Sequence, residues 1–520
     1  MADIAENLIV EIADGRVRGA LVEGVAAFKS LPYGASTAGA ARFLPPRPPA
    51  PWAGVRDATA FATQAPQFRG GPAQRPEMAG FLGAPDPSPE SEDCLALNVW
   101  TTALPPASPR PVMVWFHGGA FSFGSSNNDT VRGSRLARHG DVVVVTVNQR
   151  LNIFGHLDLA ARYGTAYALS GNAGALDMLA ALRWVRDNIG AFGGDPGCVA
   201  IFGESGGGGK VSTLMAMPAA QGLFHRAIIQ SGASVRLRTP ERAARLTDAV
   251  LAHLGLVGAP VEALLALPME ALIAAIAPAE QALGPSPYPL LDRYPFGPTM
   301  DGEVVAHHPG SPEGLAISAG IPLMIGDTAQ EATLFLTHVD AVWHRTLSED
   351  GLARQVLAMA GARTSEVLET YRRLMPAANP AERLIAAMTD GRFRSRSVLM
   401  AEGKAALGAA PAFYYRFAWP SPAHGGRLGA PHAIDVPLTF DTTDLTGVAA
   451  GAPAAAGLAG IVAETWAHFT HTGTPGHPAI PAWPAYEPSH RATMVLDVPC
   501  RVEENPGAET RALWQEIALG

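Results

Sequence analysis

The hydrophobic and polar positions form short apolar runs near the start of the chain, near-continuous apolar runs further on, and then strand and helix patterns in alternation. Residues 7–32 carry brief apolar runs split at Asp14-Gly15 and Glu23-Gly24, which predicts antiparallel hairpins entering a sheet. Residues 43–89 are rich in Pro, Gly, Ala and Gln without any period, and predict a long surface loop. The runs at 94–100, 111–116 and 141–147 are almost wholly apolar, as strands covered on both faces must be. Leu179, Leu182, Val185 and Ile189 recur at helical spacing and predict a helix over 177–189, which Gly193-Gly194-Asp195-Pro196 stops. A strand at 199–202, a glycine-rich turn and a helix over 211–217 follow, and residues 224–230 and 322–325 add two short strands. The alanine-rich block 241–281 reads as helices capping the sheet. Strands alternating with helices predict an α/β fold with a mostly parallel sheet covered by helices on both faces. No repeat and no linker between two cores is visible, so residues 1–520 are expected to form one domain with long insertions.

Composition narrows the function classes. Hydrophobic residues make up 48% of the 520 residues and charged residues 16%, enough apolar side chain for a large core and too little charge for a disordered chain. Lys and Arg number 38 against 47 Asp and Glu, with no basic run to neutralise a row of phosphates, so nucleic acid is not an expected partner. With 55 glycines and 45 prolines, many turns and long ordered loops are expected. Cys94, Cys198 and Cys500 form neither a disulfide framework nor a metal-ligand spacing. Asp3 and Glu6 precede the first basic residue, Arg16, with no apolar leader, so a cytoplasmic protein is expected. The weakly polar stretch 447–463 is broken by Pro453 and is too short for a bilayer, so no membrane association is expected.

The sharpest chemical signal is Gly203-Glu204-Ser205-Gly206-Gly207, which directly follows a predicted strand and precedes a predicted helix. A serine on so tight a turn projects its Oγ above the sheet, and the helix N-terminus behind it favours developing negative charge. A phosphate loop is excluded, because GxxxxGK[ST] needs glycine where Glu204 stands and a hydroxyl where Val211 stands. The dinucleotide fingerprint fails too, since GxGxxG from Gly206 needs glycine at 211, and this counts against a nucleotide-dependent oxidoreductase. His117-Gly118-Gly119-Ala120-Phe121 follows another strand, and such a loop can turn backbone N–H groups toward one point. Gly118, Gly119 and Gly206 are therefore candidate oxyanion donors. A triad also needs an acid and then a histidine; by position alone Asp327 and Glu331 both qualify after the strand at 322–325.

These motifs, in this order, resemble the type-B carboxylesterases, which include the cholinesterases and the bacterial para-nitrobenzyl esterases, the latter being the most similar. The likeness runs from about residue 17 to residue 486. It is carried by Phe28-Lys29-Ser30-Leu31-Pro32-Tyr33, the Ser91-Glu92-Asp93-Cys94 segment, Asn148-Gln149-Arg150, Phe192-Gly193-Gly194-Asp195-Pro196 and Gln230-Ser231-Gly232. The resemblance implies an α/β-hydrolase fold and a triad of Ser205, Glu331 and His432, the last in Gly429-Ala430-Pro431-His432 with Asp435 three positions on. Gln330 and Ala332 depart from the residues that usually flank the family's acid. It further implies an internal ion pair between Glu92 and Arg150 and a supporting hydroxyl at Ser231. The expected activity is hydrolysis of uncharged short- or medium-chain or aryl esters, without cofactor or metal, by a monomer. Carbamates, amides and phthalate-type diesters are alternative substrates. Phe121, Phe123, Tyr288, Tyr294 and Phe296 are candidates to line the substrate gorge. Family members that lack the serine act as binding proteins, a reading opposed here by the presence of all three triad residues.

Overall fold

In the computed structural model, residues 8–70, 75–102, 104, 108–284 and 296–519 are described. The strands are β1 (Ile9–Ile12), β2 (Gly15–Arg18), β3 (Ala20–Val22), β4 (Val25–Pro32), β5 (Val55–Asp57), β6 (Ala96–Thr101) and β7 (Arg110–Phe116). They continue with β8 (Val143–Val147), β9 (Gly194–Glu204), β10 (Arg226–Gln230), β11 (Leu323–Thr328), β12 (Ala412–Phe417), β13 (Ala492–Leu496) and β14 (Arg501–Glu504). Eleven of them form one sheet in the order β14-β13-β12-β11-β10-β9-β7-β8-β6-β4-β3. The seven from β13 to β8 are mutually parallel, whereas the pairings at the edges, β14 with β13 at one and β6 with β8, β4 with β6 and β3 with β4 at the other, are antiparallel. The predicted N-terminal hairpins are present as β1–β2 and β3–β4.

The middle of the sheet shows why its strands read as continuous apolar runs. Val112, Val114 and Phe116 of β7 and Val143, Val145 and Val147 of β8 enter one hydrophobic cluster, with Leu179 and Leu182 of the helix Ala173–Asn188. Met113, Trp115 and Val144 point the other way into a second cluster, with Leu458, Val462 and Trp466 of the helix Pro453–Thr472. Both faces are covered, so both strand parities must be apolar.

The segment 43–89 departs from its expectation. It contributes β5 beside β2, and Phe43, Ala65, Met78 and Phe81 are buried, because the loop is folded onto the body by its few large apolar side chains. The block 241–281 is helical in four pieces, and it packs with Phe43, Phe154 and Phe296 in a cluster of its own. Among the described residues no helix is long and apolar enough to cross a membrane.

The chain passes from β7 outward to β8 and then returns to place β9 on the other side of β7. The carboxyl ends of β7 and β9 thus flank the point where the winding of the sheet reverses, the place where open α/β sheets leave a crevice for ligands.

Candidate active site

β9 ends at Glu204, the helix Gly206–Met215 begins two residues later, and Ser205 alone makes the turn, with φ 55° and ψ −119°. Such a conformation costs a non-glycine residue about 1–3 kcal/mol and persists only when neighbours hold it. Here the Ser205 N–H donates to the Gln230 carbonyl at 2.8 Å, and the Ser205 carbonyl accepts from the Gly209 N–H at 3.1 Å. The glycines around it are required by space. A Cβ on Gly203 would lie 2.6 Å from the Phe116 carbonyl oxygen, and one on Gly207 only 2.0 Å from that same atom. The helix can therefore start flush against β7 only without side chains there.

The loop after β7 bends back over this turn, with Gly119 at φ 84° and Ala120 at φ 61°. It comes so near that a Cβ on Gly206 would meet the Ala120 carbonyl oxygen at 2.0 Å, and one on Gly118 would touch the Ser205 Cβ at 3.7 Å. No described residue accepts a hydrogen bond from the N–H of Gly118, Gly119 or Gly206. Three unengaged amides thus belong to the backbone packed about the serine.

His432 arrives from the loop that follows β12. Its Nδ1 lies 2.5 Å from Glu331 Oε2, and Glu331 Oε1 accepts the Thr328 N–H at 2.7 Å. Glu331 is fully buried just past the end of β11, and His432 is 4% exposed. The imidazole Nε2 faces the elbow, 3.1 Å from Oε1 of Glu204, the residue immediately before Ser205. The ring is flanked by Phe335 and Phe393, at centroid distances of 4.8 and 5.1 Å. An imidazole with a buried carboxylate on Nδ1, and Nε2 beside the residue that precedes the elbow serine, is arranged to be stabilised once it has taken up a proton.

Asp327, the other acid that position alone allowed, is turned away. Its carboxylate accepts from the Tyr414 hydroxyl and lies 3.4 Å from the Arg394 Nε, and burial raises its pKa. The departure at Gln330 has a role of its own. The Gln330 N–H donates to the Ala430 carbonyl at 2.9 Å, and the Ala430 N–H donates to the Gln330 side-chain oxygen at 2.7 Å. This two-bond clamp ties the acid turn to the histidine loop two residues before His432. Replacing Gln330 by Ala leaves the buried Ala430 N–H without its acceptor. The expected result is a loss of about 1–3 kcal/mol in stability and a fall in kcat larger than any rise in KM, read from thermal melts and steady-state kinetics.

Several expectations are corrected by the structure. Arg150 pairs with Asp177, through Nε at 2.8 Å and Nη2 at 2.6 Å, and Glu92 pairs instead with Arg42, whose Nε is 2.8 Å away. In each case the planar fork of the arginine takes both carboxylate oxygens, leaving nothing for a Glu92–Arg150 contact. Phe296 is fully buried among Phe43, Ile153 and Phe154, and Phe121 is 2% exposed with its ring edge-on to His156, so both pack the interior and do not line an open cleft. Phe123 is 40% exposed beside Gly119, while Tyr288 and Tyr294 lie outside the described residues. Ser231 is adjacent to the elbow, since a Cβ on Gly232 would overlap the Ser205 carbonyl oxygen. Sequence reasoning missed Glu204, Phe335 and Phe393. For Glu204 the signal was available in its position at the strand end beside the serine; the two rings are brought to His432 from segments of no obvious pattern.

The carboxylesterase family model matches residues 6–514. The para-nitrobenzyl esterase of Bacillus subtilis is 37% identical over 436 residues, covering 84% of this chain and 83% of its own length. The phenmedipham hydrolase of Pseudarthrobacter oxydans is 33% identical over 454 residues, with the same two coverages of 84% and 83%. The crystal structure of a Geobacillus stearothermophilus carboxylesterase at pH 6.2 superposes with a TM-score of 0.84 at 38% identity, covering 98% of this chain and 100% of that one. With the match running nearly end to end, and with the serine elbow at the switch point of an α/β-hydrolase sheet, the chain belongs to the carboxylesterase family and is a carboxylic ester hydrolase.

Proposed function

We propose that the protein is a serine carboxylesterase that hydrolyses uncharged esters of short or medium acyl chain, or aryl esters, through an acyl-enzyme. The observation that carries this reading is the imidazole of His432, held at Nδ1 by Glu331 and with Nε2 3.1 Å from Oε1 of Glu204, the residue immediately before Ser205. In the first half-reaction Ser205 Oγ bonds to the ester carbonyl carbon as its proton passes to His432 Nε2. The carbonyl electrons move onto the oxygen, where the N–H groups of Gly118, Gly119 and Gly206 stabilise them; each such donor is worth roughly 3 kcal/mol in comparable sites. Collapse of this intermediate breaks the bond to the alcohol oxygen, which leaves with the proton from His432. Water then attacks the acyl-enzyme by the same steps in reverse and releases the acid.

Three further features support the reading. Phe123 and Phe335, at 40% and 41% exposed, offer apolar contact on the oxyanion-loop and histidine sides of the serine. The central sheet receives strands from residue 20 to residue 504, which supports one domain over residues 1–520. Cys94, Cys198 and Cys500 are free thiols, in keeping with a reducing cytoplasm.

The test is a rate series with para-nitrophenyl acetate, butyrate and palmitate and a para-nitrobenzyl ester, with phenmedipham included because one relative is named for it. Turnover of the short esters well above that of palmitate is the expected result. Turnover of palmitate or phenmedipham alone would overturn the proposed substrate class.

A further inference from the structure

Lys210 is fully buried one turn into the helix behind Ser205; of the chain's three lysines, Lys404 is buried as well. No carboxylate is paired with it among the described residues. Its Nζ donates to the His117 carbonyl at 2.8 Å, lies 3.4 Å from His117 Nδ1 and sits 5.9 Å above the Phe121 ring centroid. Burial pushes its pKa well below the ordinary lysine value, yet an amine donates to a carbonyl in either protonation state.

What that carbonyl belongs to gives the contact its meaning. A peptide unit is planar and trans, so the carbonyl of His117 and the N–H of Gly118 are the two ends of one rigid group and point in opposite directions. Fixing the carbonyl from behind fixes the direction of the N–H in front. The next unit is held in the same way, because His117 Nδ1 lies 2.8 Å from the Gly118 carbonyl, whose partner end is the Gly119 N–H. The Gln149 amide, 2.9 Å from His117 Nε2, donates there and leaves the ring proton on Nδ1; burial, with Lys210 as the next cause, holds His117 well below the usual histidine range and neutral. The third unit is held by the helix, where the Ser205 carbonyl accepts from Gly209 and its other end is the Gly206 N–H. Each of the three proposed oxyanion donors is thus backed by a hydrogen bond to its own peptide carbonyl. A bond on that carbonyl also polarises the peptide and strengthens the N–H as a donor.

We propose that Lys210 is a positioning residue of the oxyanion hole: by holding the His117 carbonyl it sets the plane of the His117–Gly118 peptide and aims and polarises the Gly118 N–H. This rests on the serine-esterase reading above. A methionine of similar length would avoid the cost of burying an amine but would leave the His117 carbonyl without the Lys210 hydrogen bond.

The test uses Lys210→Met and Lys210→Gln beside wild type, with para-nitrophenyl butyrate kinetics expressed per active site titrated by a fluorophosphonate. An aliphatic trifluoromethyl ketone, which carries an oxyanion when it adds to the serine, supplies a second readout. For Lys210→Met, kcat is expected to fall about 10- to 100-fold with KM within about threefold, and the ketone to bind more weakly by the same factor as the loss in kcat. Lys210→Gln, which keeps an N–H donor on a shorter stem, is expected to recover part of both. Folded Lys210→Met with kcat and ketone affinity within about threefold of wild type would overturn the proposal. So would a loss confined to the number of titratable sites, or the failure of both variants to fold, either of which makes Lys210 a core residue. An inactive wild type would reject the esterase reading itself, whereas a variant-to-wild-type ratio near one rejects only the role of Lys210.

Discussion

Replacing Ser205 by Ala is expected to lower hydrolysis of para-nitrophenyl butyrate by about 10⁵- to 10⁶-fold per folded molecule, leaving only what the oxyanion donors and substrate binding contribute. The size of the effect follows from the site. Only Ser205 combines a hydroxyl with the elbow between β9 and its helix, and His432 and Glu331 have no chemistry to perform on an ester without it. The fold should survive, because alanine keeps the Cβ and the Ser205 backbone bonds to Gln230 and Gly209 do not involve the hydroxyl. Rates of the purified variant, with a thermal melt as the control for folding, check this. A folded variant retaining a tenth of the wild-type rate would place the nucleophile elsewhere.

Glu331→Gln is expected to cost about 10³- to 10⁴-fold in kcat, although the change is nearly isosteric. Glu331 uses one oxygen to accept the Thr328 N–H and the other to accept from His432 Nδ1. Glutamine has a single carbonyl oxygen. If that oxygen stays with Thr328, the NH₂ faces Nδ1, which must then become an acceptor and leave the proton on Nε2. The imidazole would present a donor to Ser205 where a base is required. Asp327→Asn is the control that separates the two acids: it weakens the buried contacts with Tyr414 and Arg394, so stability should fall while kcat per folded molecule stays close to wild type. Rates of the two variants over a pH series, each normalised to folded protein, distinguish them. Equal losses in both would return Asp327 to consideration as the acid.

The parts of the fold that were legible are those where one physical requirement dominates. β7 and β8 are covered on both faces and so read as unbroken apolar runs, and the hairpins carry their turn residues between short strands. The helix at 206 was expected only from 211, because four successive glycines oppose helix formation. The close approach to the Phe116 carbonyl and the Ala120 backbone forces glycine at the first two positions and overrides that preference. β12 was passed over since its aromatic run is interrupted by Arg416, and the helices Glu349–Ala360 and Pro380–Thr389 bury their apolar faces against each other and not against the sheet. The elbow serine and the glycine loop announce themselves locally, whereas Glu331 and His432 required the family resemblance, because their pairing spans 101 residues. The ion pair was misassigned for a different reason. The resemblance implied Glu92 as the partner of Arg150, but the packed chain places Asp177 against its guanidinium instead.

The most direct measurement is rapid-mixing kinetics of the wild type with para-nitrophenyl butyrate, with acid-quenched samples digested and the peptides weighed. Attack by Ser205 predicts para-nitrophenol release that leads acid release during the first turnover, and one butyryl group on the peptide containing Ser205, absent in Ser205→Ala. Turnover by wild type with no acylated Ser205 peptide, or with the acyl group on another residue, would contradict a serine acyl-enzyme at this elbow.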